Sequence, residues 1–233
     1  MGHFVNRRIF DFNQFNRDMW VEKKAAEIPI GSKVLDAGAG TGRYRHLFSH
    51  CDYKATDFCR EPSTIGSYSK MDYICDVTSI PVPDESFDAI LCTEVLEHVP
   101  QPIEVIREFS RILKTGGTLL LTAPLGCGIH QQPFIYYGGF TPYWYMKFLC
   151  EYEFEDIRIT PNGGFFKHYG QESQRFNSCI SPKNSPLRLL ALPLIAYSGI
   201  FLPILCYVLD RMDKDDYFTV GYFVEARKLE AEH

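Results

Sequence analysis

Gly38, Gly40 and Gly42 alternate through Asp36-Ala37-Gly38-Ala39-Gly40-Thr41-Gly42, directly after the short apolar stretch Lys33-Val34-Leu35. Glycines at a strand-to-helix handover let the backbone approach a ligand and leave N–H groups pointing at it, so this run is expected to cradle a cofactor at a helix N-terminus. The plainer reading is a tight turn. Roughly 20 residues on, Asp57 ends a second β-forming stretch, where a carboxylate can accept hydrogen bonds from both hydroxyls of a ribose or simply sit solvated in a turn. A dinucleotide loop requires glycine at position 43, which is Arg43, and this weakens a nicotinamide-dependent oxidoreductase reading. Further along, His130 lies in an aromatic loop, and Tyr136 and Tyr137 follow it. Its imidazole is suited to take a proton from a hydroxyl or amine, or to cap a turn.

The Asp-x-Gly-x-Gly-x-Gly arrangement resembles motif I of class I S-adenosylmethionine-dependent methyltransferases. The stretch Ile80 to Val99, with its proline-rich turn and Thr93-Glu94, and Leu113-Lys-Thr-Gly-Gly-Thr-Leu-Leu-Leu121 are similar to the subgroup called methyltransferase type 11. The resemblance implies that Asp36 and the backbone of Ala37 and Gly38 orient the methionine end of S-adenosylmethionine. It also implies that Gly40 and Gly42 shape the loop, that Asp57 and Phe58 serve the ribose side, and that Asp76 and Val77 serve the adenine. Thr93 and Glu94 would border the cofactor crevice. His98 is frequent in the pattern and reads more readily as a packing residue than as a catalytic one. The implied reaction is methyl transfer by in-line displacement to a small-molecule, sugar or lipid-linked acceptor, with His130 as base, Tyr136 and Tyr137 on the substrate side and no metal. A membrane-attached binding module without activity is the competing class.

The elements that must position these residues alternate between strand-like and helix-like segments. Strands are expected at 33–36, 53–57, 73–76, 88–92, 118–124, 156–160 and 217–227. Helices are expected at 16–28, 41–48, 101–113 and 141–151, with Gly116-Gly117 capping the third. The fold class is therefore α/β, a Rossmann-like three-layer sandwich. Its seven-stranded sheet is mostly parallel with the last strand antiparallel, and a helical apolar insertion precedes that strand. The whole chain, 1–233, reads as one domain with core 17–162 and 214–228 and insertion 163–213. Residues 163–186 look like irregular loop. Leu189 to Leu209 carries no charge but holds Pro193, Gly199 and Pro203, so a kinked helix or a hairpin is expected rather than one straight bilayer span.

Composition narrows the partners. The net charge is −5, without a basic run, which argues against nucleic acid. The eight cysteines never pair as C-x-x-C, so neither a zinc nor a dithiol site is announced, and a reducing, cytoplasmic location is expected. Peripheral contact with the inner face of a membrane through 189–209 completes these expectations.

Overall fold

The computed structural model describes residues 2–60, 65–180, 187–213 and 217–230. The chain forms two compact units, one of residues 19–160 with 221–233 and the other of residues 1–18 with 161–220.

The first unit is built on a seven-stranded sheet in the order β3-β2-β1-β4-β5-β7-β6. The strands are β1 (Lys33–Ala37), β2 (Asp52–Asp57), β3 (Tyr73–Ile74), β4 (Phe87–Thr93), β5 (Leu113–Pro124), β6 (Phe154–Pro161) and β7 (Gly221–Lys228). β1 pairs parallel with β2 and β4, β2 with β3, and β4 with β5, while β7 runs antiparallel to β5. Alternate residues of the central strands feed two apolar layers, as a pleated sheet covered on both faces requires. Leu35, Ile90, Leu119, Leu121 and Val224 pack with α3 (Pro102–Ile112) and α4 (Pro142–Glu151). Val34, Ala89, Leu91 and Leu120 pack on the opposite side with Val21 and Ala25 of α2 (Phe12–Glu27).

Several local expectations give way here. No α-helix follows the glycine loop. The chain turns through Gly38–Tyr44 and makes only a short 3-10 segment at Arg45–Phe48. The third helix ends at Ile112, and Gly116-Gly117 belongs to β5 rather than to a helix cap. There a Cβ on Gly117 would lie 2.7 Å from the Lys114 carbonyl oxygen, so the glycine serves a close backbone approach.

The second unit contains α1 (Gly2–Phe10), α5 (Phe165–Ile180), α6 (Leu187–Ala196) and α7 (Leu202–Leu209). Residues 165–180, read as irregular from their polar composition, are helical because they have a partner. Gly170 brings α5 so close to α7 that a Cβ on it would lie 3.2 Å from the Cys206 Cβ, and Lys167 pairs with Asp210 at 2.8 Å. Residues 181–186 of that expectation lie outside the described residues. α6 and α7 do not form a hairpin. A π-helical segment, Tyr197–Phe201, joins them, and the Leu202 N–H donates to the Tyr197 carbonyl. The widened turn carries the helix up to Pro203, at the start of α7, so the prolines do not break it.

Candidate functional site

At the C-terminal ends of β1, β2 and β4, the first unit opens into a cavity of about 270 Å³, bordered by Gly38, Gly40, Asp57, Asp76 and Glu94. This is the crevice where open α/β sheets hold ligands. The glycine loop is shaped from within. The N–H groups of Gly38 and Ala39 both donate to the Thr56 carbonyl, at 2.8 and 3.0 Å, and that of Gly42 donates to the Ala39 carbonyl at 2.8 Å. The Gly40 N–H donates to Asp57 Oδ2 at 3.0 Å. The expected free N–H groups of a helix N-terminus are therefore replaced by a self-bonded loop. Its glycines matter for conformation and space: Gly38, Gly40 and Gly42 have φ of 76°, 51° and 71°. A Cβ on Gly38 would come within 2.3 Å of Val95, whereas one on Gly40 would meet nothing and face the open cavity.

Asp57 holds the loop and faces the cavity at once. Its Oδ1 accepts from the Cys59 N–H at 2.9 Å, while Oδ2 takes Gly40. An ionised carboxylate has about four acceptor sites, so capacity remains for a polyol. Asp76 is fixed by the Thr78 N–H and hydroxyl, both on Oδ1, at 2.9 and 2.8 Å. Phe58 and Val77 also line the cavity. Glu94 reaches it with a left-handed backbone, φ 54°, and its Oε1 accepts from the Thr122 hydroxyl at 2.8 Å. Such a conformation is rare outside glycine and is concentrated at functional positions.

Asp36, Ala37, Gly42 and Thr93 do not line the cavity. Asp36 is 2% exposed, and its carboxylate accepts from the Tyr53 hydroxyl at 2.6 Å. Burial pushes its pKa up to about 6, against the pull of the Tyr53 bond and the Arg45 charge. This side chain supports the loop from behind.

The aromatic loop after β5 is tied down on the far end of β4. The N–H groups of Tyr136 and Tyr137 donate to the Glu97 carbonyl at 2.9 and 3.3 Å, and the His98 ring Nδ1 bonds the Phe134 carbonyl. Tyr136 borders the cavity, whereas Tyr137 turns its hydroxyl to the Pro100 carbonyl at 3.1 Å. Phe134 meets Phe58 edge-on, with ring centroids 5.0 Å apart. His130 is exposed and does not line the cavity itself. Its ring stands 4.8 Å from that of His98, which does. Gln131 and Phe134 are among the lining residues that the sequence did not single out, and His98, read there as a packing residue, lines the cavity too. The loop's position was legible, but which of its faces turns inward depends on its bonds to residues 97 and 98.

Residues 35–121 match the sequence profile of the family described as "Methyltransferase domain". The match covers a little over a third of the chain. The chain is 33% identical over 109 residues to the ubiquinone biosynthesis O-methyltransferase of Xanthomonas campestris pv. campestris (strain B100), covering 42% of this chain and 46% of that protein. The chain spans about half the length of the curated relatives it matches. Among solved structures, a SAM dependent methyltransferase from Archaeoglobus fulgidus superposes with a TM-score of 0.56 at 13% identity, covering 97% of this chain and 99% of that one. The Haemonchus contortus phosphoethanolamine N-methyltransferase 2 in complex with S-adenosyl-L-methionine gives 0.57 at 18% identity, covering 93% and 53%. These likenesses establish the class I methyltransferase fold.

Proposed function

We propose that the cavity binds S-adenosylmethionine and that the protein transfers its methyl group to an oxygen or nitrogen of a small-molecule, sugar or lipid-linked acceptor. The observation that carries this reading is the double role of Asp57, whose carboxylate locks Gly40 and borders the same cavity as Asp76. The residues fit the group. Side-chain-free Gly40 admits the methionine end, Asp57 accepts from the ribose hydroxyls and Asp76 from the adenine amine, and the rings of Phe58, Phe134 and Tyr136 offer faces that favour a cation. S-adenosylmethionine supplies a methyl already activated on a sulfonium. What remains for the protein is alignment of the acceptor and removal of its proton. The His98–His130 pair at the cavity mouth is placed to do the second.

Calorimetric titration with S-adenosylhomocysteine tests the reading. Wild type should bind it and not NADH, and Asp57→Ala should weaken binding roughly tenfold or more, since hydrogen bonds to charged groups contribute about 1.5–3 kcal/mol. Unchanged affinity in a folded Asp57→Ala protein would remove the ribose assignment. Once the acceptor is identified, His130→Ala should lower turnover by about 10²-fold with cofactor affinity intact.

We infer further that the acceptor is lipid-linked and that the enzyme works at the cytoplasmic face of a membrane. Support comes from an apolar helix, Ala191–Met212, that is 17% buried, and from the free state of all eight cysteines. The Xanthomonas relative is named for ubiquinone biosynthesis, which is consistent with a lipid acceptor.

A further inference from the structure

We propose that Glu97, His98 and His130 form a divalent-cation site at the mouth of the cavity, of the two-histidine, one-carboxylate kind that takes zinc or another borderline transition metal. The three side chains each bring one ligand atom, and these atoms lie within 4.8 Å of one another. Their chemistry is that of a catalytic metal site: two imidazoles and a carboxylate bind three positions of a tetrahedral ion and leave one open.

The hydrogen bonds around the rings point the same way. His98 Nδ1 contacts the Phe134 carbonyl, and His130 Nδ1 contacts the Gly128 carbonyl at 2.8 Å. A carbonyl only accepts, so in each ring the proton sits on Nδ1 and the lone pair of the neutral imidazole is on Nε2. Metal-ligating histidines are oriented in this way by backbone carbonyls. The His98 Nε2 lies 3.7 Å from Glu97 Oε1, close to the roughly 3.4 Å edge of a tetrahedron with bonds of about 2.1 Å. Glu97 itself is 1% exposed. His130 is the exposed member of the three.

Sequence spacing does not announce this site, because the adjacent Glu97-His98 pair follows β4 and the third ligand comes from the loop after β5. Of the three, His98 borders the cavity. A cation held by the three would lower the pKa of an acceptor hydroxyl, so that its proton would pass to solvent and the histidine pair would act through the cation in place of acting as the base itself. The hydroxyl oxygen then forms the bond to the methyl carbon as the carbon–sulfur bond breaks, with the electron pair staying on sulfur. This role rests on the methyl-transfer reading, whereas cation binding does not.

The test uses the full chain after dialysis against a chelator, titrated with Co²⁺ alone and followed by visible absorption and by calorimetry. One equivalent should bind with nitrogen- and oxygen-ligand d–d bands and without thiolate charge-transfer absorption. His130→Ala, at an exposed position, should weaken binding roughly tenfold or more. His130→Cys should restore it with a new thiolate band. Absence of one-to-one binding, or equal affinity in His130→Ala, overturns the proposal. S-adenosylhomocysteine titrated into the same proteins separates the two readings. Cofactor binding without cobalt binding removes only the metal site, and cobalt binding without cofactor binding removes only the methyl-transfer reading.

Discussion

Asp36 is a buried carboxylate that lies behind the glycine loop and off the cavity wall. Burial raises its pKa to about 6, above the ordinary aspartate value of 3.8, so the fold favours the protonated form. The associated stabilisation is complete below about pH 4 and is lost as pH rises through 6, where the buried carboxylate ionises. A shift of about two units corresponds to about 3 kcal/mol at most. Asp36→Asn keeps an acceptor for Tyr53 and removes the charge, so its stability relative to wild type should rise by about 1–3 kcal/mol between pH 4.5 and pH 8, read by urea denaturation. An offset that is the same at both pH values would reject the assignment. Gly40→Val should abolish S-adenosylhomocysteine binding in a folded protein, because the new side chain strains a left-handed backbone and fills the cavity. At this scale the sequence was informative where a residue's role is local. Gly38, Gly40, Asp57 and Asp76 were legible because strand ends fix their direction. Glu97, His98 and Phe134 were not, because their roles arise from contact between two segments more than 30 residues apart in the chain.

Elements became readable where their stability is written in their own pattern. The apolar strands β1 and β4 and the amphipathic α3 fall close to their expected bounds, whereas β5 takes in the glycine pair read as a helix cap and begins at Leu113. α5 did not, because its helix depends on packing against α7, and of the two expectations for the apolar run the interrupted helix holds and the hairpin does not, since a π-helical segment joins α6 to α7. The proline-rich turn before β4 is likewise held from outside. The Glu108 carboxylate, 7% exposed, accepts from the Ile80 N–H at 2.6 Å and from Arg111 at 2.7 and 2.9 Å. Arg111 also donates to the Val82 carbonyl at 2.9 Å, which staples the turn to α3. Glu108→Ala should therefore lower the unfolding free energy by about 1.5–3 kcal/mol, since it strands a backbone donor and a guanidinium. Asp84, which meets the same arginine from a side chain 74% exposed, should matter by less than about 1 kcal/mol when changed to alanine. Equal effects of the two substitutions in denaturant titrations would contradict this hierarchy.

For the whole molecule, the decisive question is what covers the apolar helix of the second unit. Its mean hydropathy reaches 2.0, and Leu194, Tyr197, Phe201, Ile204 and Val208 are all 42–59% exposed. Their spacing of three to four residues puts them on one helical face, whereas Ser198, Pro203 and Cys206 are buried. A single crossing of a bilayer is excluded by connectivity. The helix lies between β6 and β7, both strands of one sheet, so both its ends return to the same side. α5, which packs along α7, carries Lys167, Glu172 and Arg175 and is no partner for a hydrocarbon core. On the membrane reading proposed above, the helix would lie in the interface with its apolar stripe among the acyl chains and the exposed Arg211 at the headgroups. The full chain should therefore cosediment with vesicles of phosphatidylcholine containing a fifth phosphatidylserine. Phe201→Asp with Val208→Asp should abolish that association without loss of fold or of S-adenosylhomocysteine binding, because each apolar side chain contributes about 1.5–3 kcal/mol when buried and each new charge opposes insertion. Wild type that stays in the supernatant, or a double variant that pellets as well as wild type, would show that the stripe meets something other than lipid.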